Sequence, residues 1–318
     1  KQLNLGIRSL IEKSSIKGKI STYDLGFKLG PRINAAGRLG RSSFGTELLT
    51  AKDRSTADEI ANQLDKFNLE RRTIESHVLD LADKEVTDDK LQNKILVVSG
   101  EKWHEGVIGI IASRLKEKYQ RPCVVITILD DMAKGSGRSV KGIDLGNLVV
   151  AAKQAKIIEF GGGHSMAAGF SLVSKNIDEL SSFFESRLSN HQYKIAHKKT
   201  LYVDSMISSS GINLEVFNDI EKLGPFGSGN VEPTFVIKQS LLTSVNRIGE
   251  NHLKCLIKTP EGDFIEAMAF RSLETQLGNE IQNNKGKMVS LLGKIKINEW
   301  GGKRIPQFHI EDIGEEII

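Results

Sequence analysis

Between Ser55 and Val86 neither proline nor glycine interrupts a run in which Ile60, Leu64, Phe67, Ile74, Val78 and Leu81 return at spacings of three, four or seven residues. That period places the apolar side chains on one face of a single helix, with Ser55 and Asp58 resembling its N-terminal cap. At 1.5 Å per residue the helix extends roughly 45–50 Å, several times an average globular helix. A helix of that length either bridges two domains or packs along one large one, and the rest of the chain has to be arranged around it.

The segments on either side differ in character. Lys1–Ser15 reads as the tail of a fold, with a helix around Ile7–Glu12, so the chain is expected to be part of a longer protein. Gly18–Gly40 is rich in turn formers. From Lys94 the pattern alternates: strands at Ile95–Ser99, Cys123–Leu129 and Ala167–Val173, and helices at Val107–Tyr119, Leu145–Ala155 and Ile177–Leu188. Such alternation predicts an α/β layer structure with a largely buried sheet. After a polar stretch at 190–199, five β-rich segments follow: Thr234–Ile248, His252–Ile257, Phe264–Phe270, Val289–Asn298 and Ile305–Ile313. Turns at Glu261-Gly262-Asp263 and Trp300-Gly301-Gly302-Lys303 separate some of them. A five-stranded barrel of the OB type fits this pattern, a fold that often holds single-stranded nucleic acid.

Charge narrows the choice of partner. The chain is only +4 over 318 residues, yet residues 1–50 hold nine Lys/Arg against three Asp/Glu, so the remainder sums to −2. A concentrated basic segment favours an anionic partner, nucleic acid first, with a solvated basic face as the alternative. No apolar run approaches the roughly 18–20 residues of a membrane span. Cys123 and Cys255 each lie inside an apolar strand and read as two buried thiols.

Four segments carry residue types suited to an anionic ligand. Gly161-Gly162-Gly163-His164, followed by Ala167-Ala168-Gly169, offers backbone N–H groups without side-chain obstruction and an imidazole beside them; a tight structural loop reads equally well. Gly135-Ser136-Gly137-Arg138-Ser139 adds hydroxyl donors and a guanidinium that can grip phosphate bidentately. Trp103-His104-Glu105-Gly106 opens a helix whose N-terminus suits an anion; Trp103 is either a base-stacking ring or a core residue. Gly30-Pro31-Arg32-Ile33-Asn34-Ala35-Ala36-Gly37-Arg38 reads as a glycine-flexed loop bearing two arginines and an amide. No Asp-x-Asp, Asp-His-His, Cys-x-x-Cys or His-x-x-x-His cluster occurs, so no metal ligand is assigned.

In their order and approximate spacing these four segments, with Ala112-Ser113-Arg114-Leu115 and Pro225-Phe226-Gly227-Ser228-Gly229-Asn230 before Glu232-Pro233, resemble the RecJ family of DHH phosphoesterases. The resemblance covers essentially the whole chain. It implies an α/β DHHA1 domain plus a β-barrel OB-fold domain, joined by a long helix to the remnant of an α/β DHH domain. The implied boundaries are 1–52 for the end of the DHH catalytic domain, 53–92 for the connecting helix, 93–192 for DHHA1 and 193–318 for the OB domain.

The implied activity is that of a single-stranded-DNA-specific 5′–3′ exonuclease of DNA repair and recombination. Such an enzyme hydrolyses phosphodiesters with Mn²⁺ or Mg²⁺ and releases 5′-mononucleotides. The family's metal-binding Asp and Asp-His-His motifs precede the first residue here, so this chain is expected to supply substrate binding and to be inactive alone. The resemblance carries over His164 and Arg138 as catalytic phosphate ligands. It also carries over Arg32, Asn34, Arg38, Trp103, His104, Ser136, Gly137, Ser139, Gly161, Gly162 and Gly163 as substrate-binding positions. It further implies a cytoplasmic monomer that works with single-stranded DNA, a single-strand-binding protein and a RecQ-type helicase, with no membrane. The competing classes are a non-catalytic single-strand-binding module and a DHH oligoribonuclease or nucleotide phosphatase.

Overall fold

The computed structural model describes residues 4–16, 18, 20–189, 201–300 and 303–314, and the chain forms two compact units, Lys1–Lys198 and Lys199–Ile318. The polar stretch at 190–199, Lys1, Lys17, Lys19 and the turn at 301–302 lie outside the described residues.

The first unit opens with α1 (Leu5–Lys13), a π-helical turn Asp24–Leu29, α2 (Gly30–Arg38), α3 (Phe44–Thr50) and α4 (Arg54–Lys84). Residues 24–38 are therefore helical, where the glycine and proline content predicted turns. The π turn widens the backbone just before Pro31. That proline then falls in the first turn of α2, where its missing N–H leaves no hydrogen bond unmade. Asp24 anchors the turn's start: it accepts from the Ser21 backbone and hydroxyl and pairs with Lys28 at 2.7 Å. Lys28 first and then Ser21 hold its carboxyl down at about 2. Ala35 and Ala36 are fully buried, so α2 lies close against α4.

The long helix spans 31 residues. Its cap is Asp53, whose carboxylate accepts from the Thr56 N–H at 2.8 Å; Ser55 and Asp58 lie two and five positions further along. The N-terminal half of α4 buries Ile60, Ala61 and Leu64 against Leu10, Leu29, Ala36 and Leu48. Its C-terminal half buries Val78 and Ala82 in a different core, with Leu96, Val98, Ile111 and Leu115. Between them sits a charged joint. Glu75 receives Arg71 of the same helix at 2.5 Å and Arg114, 39 residues further along the chain, at 3.1 Å, and Arg71 also donates to Asn68.

After α5 (Asp88–Gln92) come β1 (Leu96–Glu101), α6 (Glu105–Tyr119), β2 (Cys123–Leu129), β3 (Met132–Arg138), α7 (Leu145–Gln154), β4 (Phe160–His164), β5 (Ala167–Val173) and α8 (Ile177–Ser189). The strands form a mixed sheet in the order β1-β2-β3-β5-β4, with β1 and β2 parallel and the other pairs antiparallel. One face packs on α7 and α8 through Leu145, Val149, Leu180 and Phe184. The other packs on α6 and the end of α4. Sequence reading offered a tight loop for 161–164, but these residues lie in β4, and 135–138 lie in β3. Glycine is demanded at Gly135 because a Cβ there would lie 2.2 Å from the Phe170 ring across the sheet. A close approach of this kind has the same composition as a turn, so single-sequence reasoning cannot separate them.

The second unit comprises β6 (Ser205–Met206), α9 (Leu214–Lys222), β7 (Phe235–Ile248), β8 (His252–Lys258), β9 (Phe264–Ala269), α10 (Gln276–Asn283), β10 (Met288–Trp300) and β11 (Lys303–Gly314). The order β7-β8-β9-β11-β10, with β10 returning to pair β7, closes a five-stranded barrel, and β6 adds to β7 outside it. Leu253, Cys255, Ile257, Ala267, Leu291 and Phe308 fill the interior, and α10 contributes the fully buried Ile281. The fold class expected from sequence is thus present in both units. Cys123 and Cys255 are free and buried, and burial pushes both thiols up to about 12. Among the described residues no helix is long and apolar enough to cross a membrane.

Glu75 is the buried acid on which both arginines of the joint depend. Glu75→Ala is expected to lower the stability of the first unit by about 3 kcal/mol, because Arg71 is left buried and unpaired. Urea denaturation followed by far-ultraviolet circular dichroism measures it.

Candidate nucleic-acid interface

The first unit holds a cleft of about 930 Å³. One wall is the C-terminal end of α2 with the N-terminal turn of α6; the floor is the half of the sheet beyond α6. The two helix ends meet over Gly106: a Cβ there would lie 2.0 Å from the Arg38 carbonyl oxygen. Arg38 Nη1 donates to the Gly106 carbonyl at 3.1 Å. The Gly106 N–H in turn donates to His104 Nδ1, which makes His104 the N-cap of α6. Trp103 is 6 % exposed and lies on Gly100 in the core beneath α6, so its indole supports the wall from inside.

Strand register arranges the floor in three rows. Arg138, Ala167 and His164 are cross-strand partners, as are Ser136, Gly169 and Gly162, and then Lys134, Ser171 and Phe160. Side chains of paired residues share a face. The opposite face is the apolar core, where Ala168, Phe170 and Leu172 are buried. A Cβ on Gly162 would point to the open face and one on Gly161 or Gly163 to the packed face, while of the three it is Gly161 that lines the cleft.

Arg138 lies beneath α6, next to the lining residue Ser136 and outside the lining of the cleft itself. Its Nη1 donates to the Gly137 carbonyl at 2.8 Å and to Ser136 Oγ at 3.3 Å, and among the described residues no carboxylate pairs with it. Burial disfavours its charged form, and the neighbouring Arg38 adds repulsion. The α6 helix lies directly above, since a Cβ on Gly109 would meet both Arg138 Nη2 and Ser136 Oγ at 3.0 Å. Two guanidinium groups without an acid, beside the positive end of a helix, make a site for an anion. At the rim Lys134 pairs with Glu105.

The remaining expected residues are dispersed. His164 shares the Arg138 row but stands exposed at the hairpin end, its Nδ1 accepting the Met166 N–H at 3.3 Å. Arg32 is tied to Asp65 at 2.7 Å and to the Lys28 carbonyl, and Asn34 is exposed on α2 away from the cleft lining. Ser139 is buried, donating to the Ile143 carbonyl at 2.8 Å, and Gly137 backs onto Leu145. Much of the basic segment likewise pairs internally, through Arg8 with Glu12 and Lys28 with Asp24. Sequence reasoning missed Lys134, Ser171 and Phe160, although the alternation in Met132–Arg138 is the signal of a strand with one small-residue face. Among the described residues no group of three or more His, Cys, Asp or Glu could hold a metal.

The outer wall of the barrel carries a second cluster that the sequence did not reveal. Phe270, half exposed, contacts His252 at 5.1 Å and His309 at 4.7 Å between ring centroids. The register row Lys254, Met268, His309, Lys294 runs beside it. Burial, and then Lys296, lower the imidazole of His309 to about 4, with Glu311 acting weakly the other way.

A mixed α/β sheet unit followed by a closed five-stranded barrel defines the architectural class of the chain. The DHHA1 domain family matches residues 92–190 and the RecJ OB domain family residues 203–312. The single-stranded-DNA-specific exonuclease RecJ of Dickeya dadantii is 34 % identical over 97 % of this chain, and that of Bacillus subtilis 31 % identical over 97 %. A crystal structure of RecJ with Mg²⁺ from Thermus thermophilus superposes with a TM-score of 0.83 over 99 % of this chain and 47 % of that one, at 24 % identity. The chain belongs to the RecJ family. It spans 54 % of the Dickeya relative and 39 % of the Bacillus one.

Two outcomes test this geometry. Gly106→Ala forces the α2 end off α6 and is expected to cost about 1–3 kcal/mol in chemical denaturation. For His309 the native pKa of about 4 lies below the ordinary 6.5, so between those values the unfolded chain binds the extra proton. The stability of the second unit is therefore complete above about pH 6.5 and declines as pH falls toward 4. His309→Gln flattens that decline in thermal melts across the window.

Proposed function

We propose that this chain is the substrate-holding part of a single-stranded-DNA exonuclease and that the cleft receives the 5′-phosphate end of the strand. The observation that carries the reading is Arg138, half-buried without an acid partner and facing Arg38 at the head of α6. A phosphate there relieves the repulsion between the two guanidinium groups and receives charge-assisted hydrogen bonds from both. Ser136 Oγ adds a further donor, and His164 stands at the end of the same row to meet the next phosphate.

The complete enzyme, on this reading, draws on Mn²⁺ or Mg²⁺ to activate the attacking water. The residues described here do not fit such an ion. Their part is to fix the strand, so that the scissile phosphodiester is presented in one position. The digestion is 5′ to 3′ and yields 5′-mononucleotides. A single-strand-binding protein and a helicase are the partners that would supply free strand.

The two units divide the work of binding. Residues 1–198 hold thirty-one Lys/Arg against twenty-four Asp/Glu, a balance of +7, whereas 199–318 hold thirteen against sixteen, a balance of −3. Phosphate attraction belongs to the first unit. The barrel engages the strand by stacking on exposed rings such as Phe270, a mode tolerant of base sequence.

Binding of a 5′-phosphorylated oligo(dT) by the whole chain, measured by fluorescence anisotropy across a salt series, tests the proposal. Arg138→Ala is expected to weaken binding about tenfold or more and to reduce the log–log salt slope by about 0.7, the value for one lost contact to a single strand. An unchanged slope, or equal affinity for 5′-phosphate and 5′-hydroxyl strands, would remove Arg138 from the phosphate site.

A further inference from the structure

We infer that Phe160 is a nucleobase platform in the cleft, taking the base of the nucleotide whose phosphate is held at Arg138; the inference rests on the reading of that cleft as a phosphate-end site. Phe160 opens β4 and is 71 % exposed, while Phe170, on the opposite face of the same hairpin, is 7 % exposed. Its row partners Ser171 and Lys134 line the cleft with it. A phenyl ring left in water on a cleft floor lacks the apolar cover that phenylalanine normally finds in the fold.

The strip between Arg138 and Phe160 gives a second, independent observation. It consists of Ser136, Gly169 and Gly162. A Cβ at Gly162 would meet nothing within 4 Å, and one at Gly169 would make only an ordinary contact, 3.7 Å from the Gly135 oxygen. Neither glycine has the positive φ that would require it. Packing and backbone geometry would thus accept side chains at both positions, and at Gly169, which lines the cleft, a side chain would obstruct the cleft itself. A smooth strip with cations at one end and a bare aromatic ring at the other matches a group that is anionic at one end and flat at the other. A nucleotide has that shape. Phe160 and His164 are four residue steps apart along the strand, about 13 Å. Stacking on Phe160 imposes no hydrogen-bond pattern, so the platform accepts all four bases.

The test uses the whole chain with two 5′-phosphorylated oligo(dT) strands, one intact and one abasic at its first nucleotide. Phe160→Ala is expected to weaken the intact strand roughly 5- to 100-fold and to leave the abasic strand unchanged. Phe160→Trp retains the affinity, and its indole fluorescence is quenched by the intact strand alone. Gly169→Val weakens the intact strand while melting no lower than the parent. Equal affinity of Phe160→Ala and the parent for the intact strand, or an equal loss on both strands, overturns the platform while leaving the phosphate site standing. Failure of the parent chain to bind either strand overturns both.

Discussion

Glu75 is the joint on which the first unit depends. It sits between two hydrophobic cores that share one helix, and it holds Arg71 of that helix and Arg114 of α6 together. An ion pair buried at this depth contributes little net stability, but it is strongly directional. Without it α4 could rotate or slide against α6 with its apolar contacts largely exchanged for equivalent ones. With it, α2, which rides on the other half of α4, is set at one position relative to α6. The meeting of the α2 and α6 ends over Gly106 follows from that constraint, and the cleft wall is that meeting.

The cleft then owes its character to what the sheet omits. Beyond β3 no helix covers the α6 side, and the exposed strip is built from Ser136, Gly169 and Gly162. Glycine serves opposite ends on the two faces. At Gly135 it yields space to Phe170 inside the core; at Gly162 it leaves space outside the protein. Arg138, raised in energy by burial and by Arg38, supplies the free energy difference that an anion can claim. The site is in this sense prepared before any ligand arrives, and binding needs little rearrangement of its charges.

The acidic balance of the second unit gives the OB barrel a complementary part. A basic barrel would compete for phosphates with the cleft and hold the strand at many registers. A barrel of net charge −3 with an aromatic cluster on its outer wall favours contacts to bases, which are individually weak and exchange easily. On the proposed function, such a division suits a strand that must advance one nucleotide at a time.

The sequence by itself determined the long helix, the alternating core of the first domain and all five strands of the barrel, because each rests on a local hydrophobic period. It also determined the order of motifs that marks the RecJ family, and it located Arg138, Arg38 and His104 beside the cleft. Tertiary structure decided the rest. Whether Gly135 and Gly161–Gly163 lie in loops or strands turns on the Phe170 ring across the sheet, which no local window contains. Arg32 and Arg38 occupy the same short helix with the same chemistry, yet one is matched with Asp65 of α4 and the other with a carbonyl of α6 at the cleft. For Trp103 the sequence left base stacking and core packing open, and folding buried the ring on Gly100, while the phenyl of Phe160 stands in the open. In each case a residue's role was set by the neighbour that folding brought to it, and that neighbour lies far away in the chain.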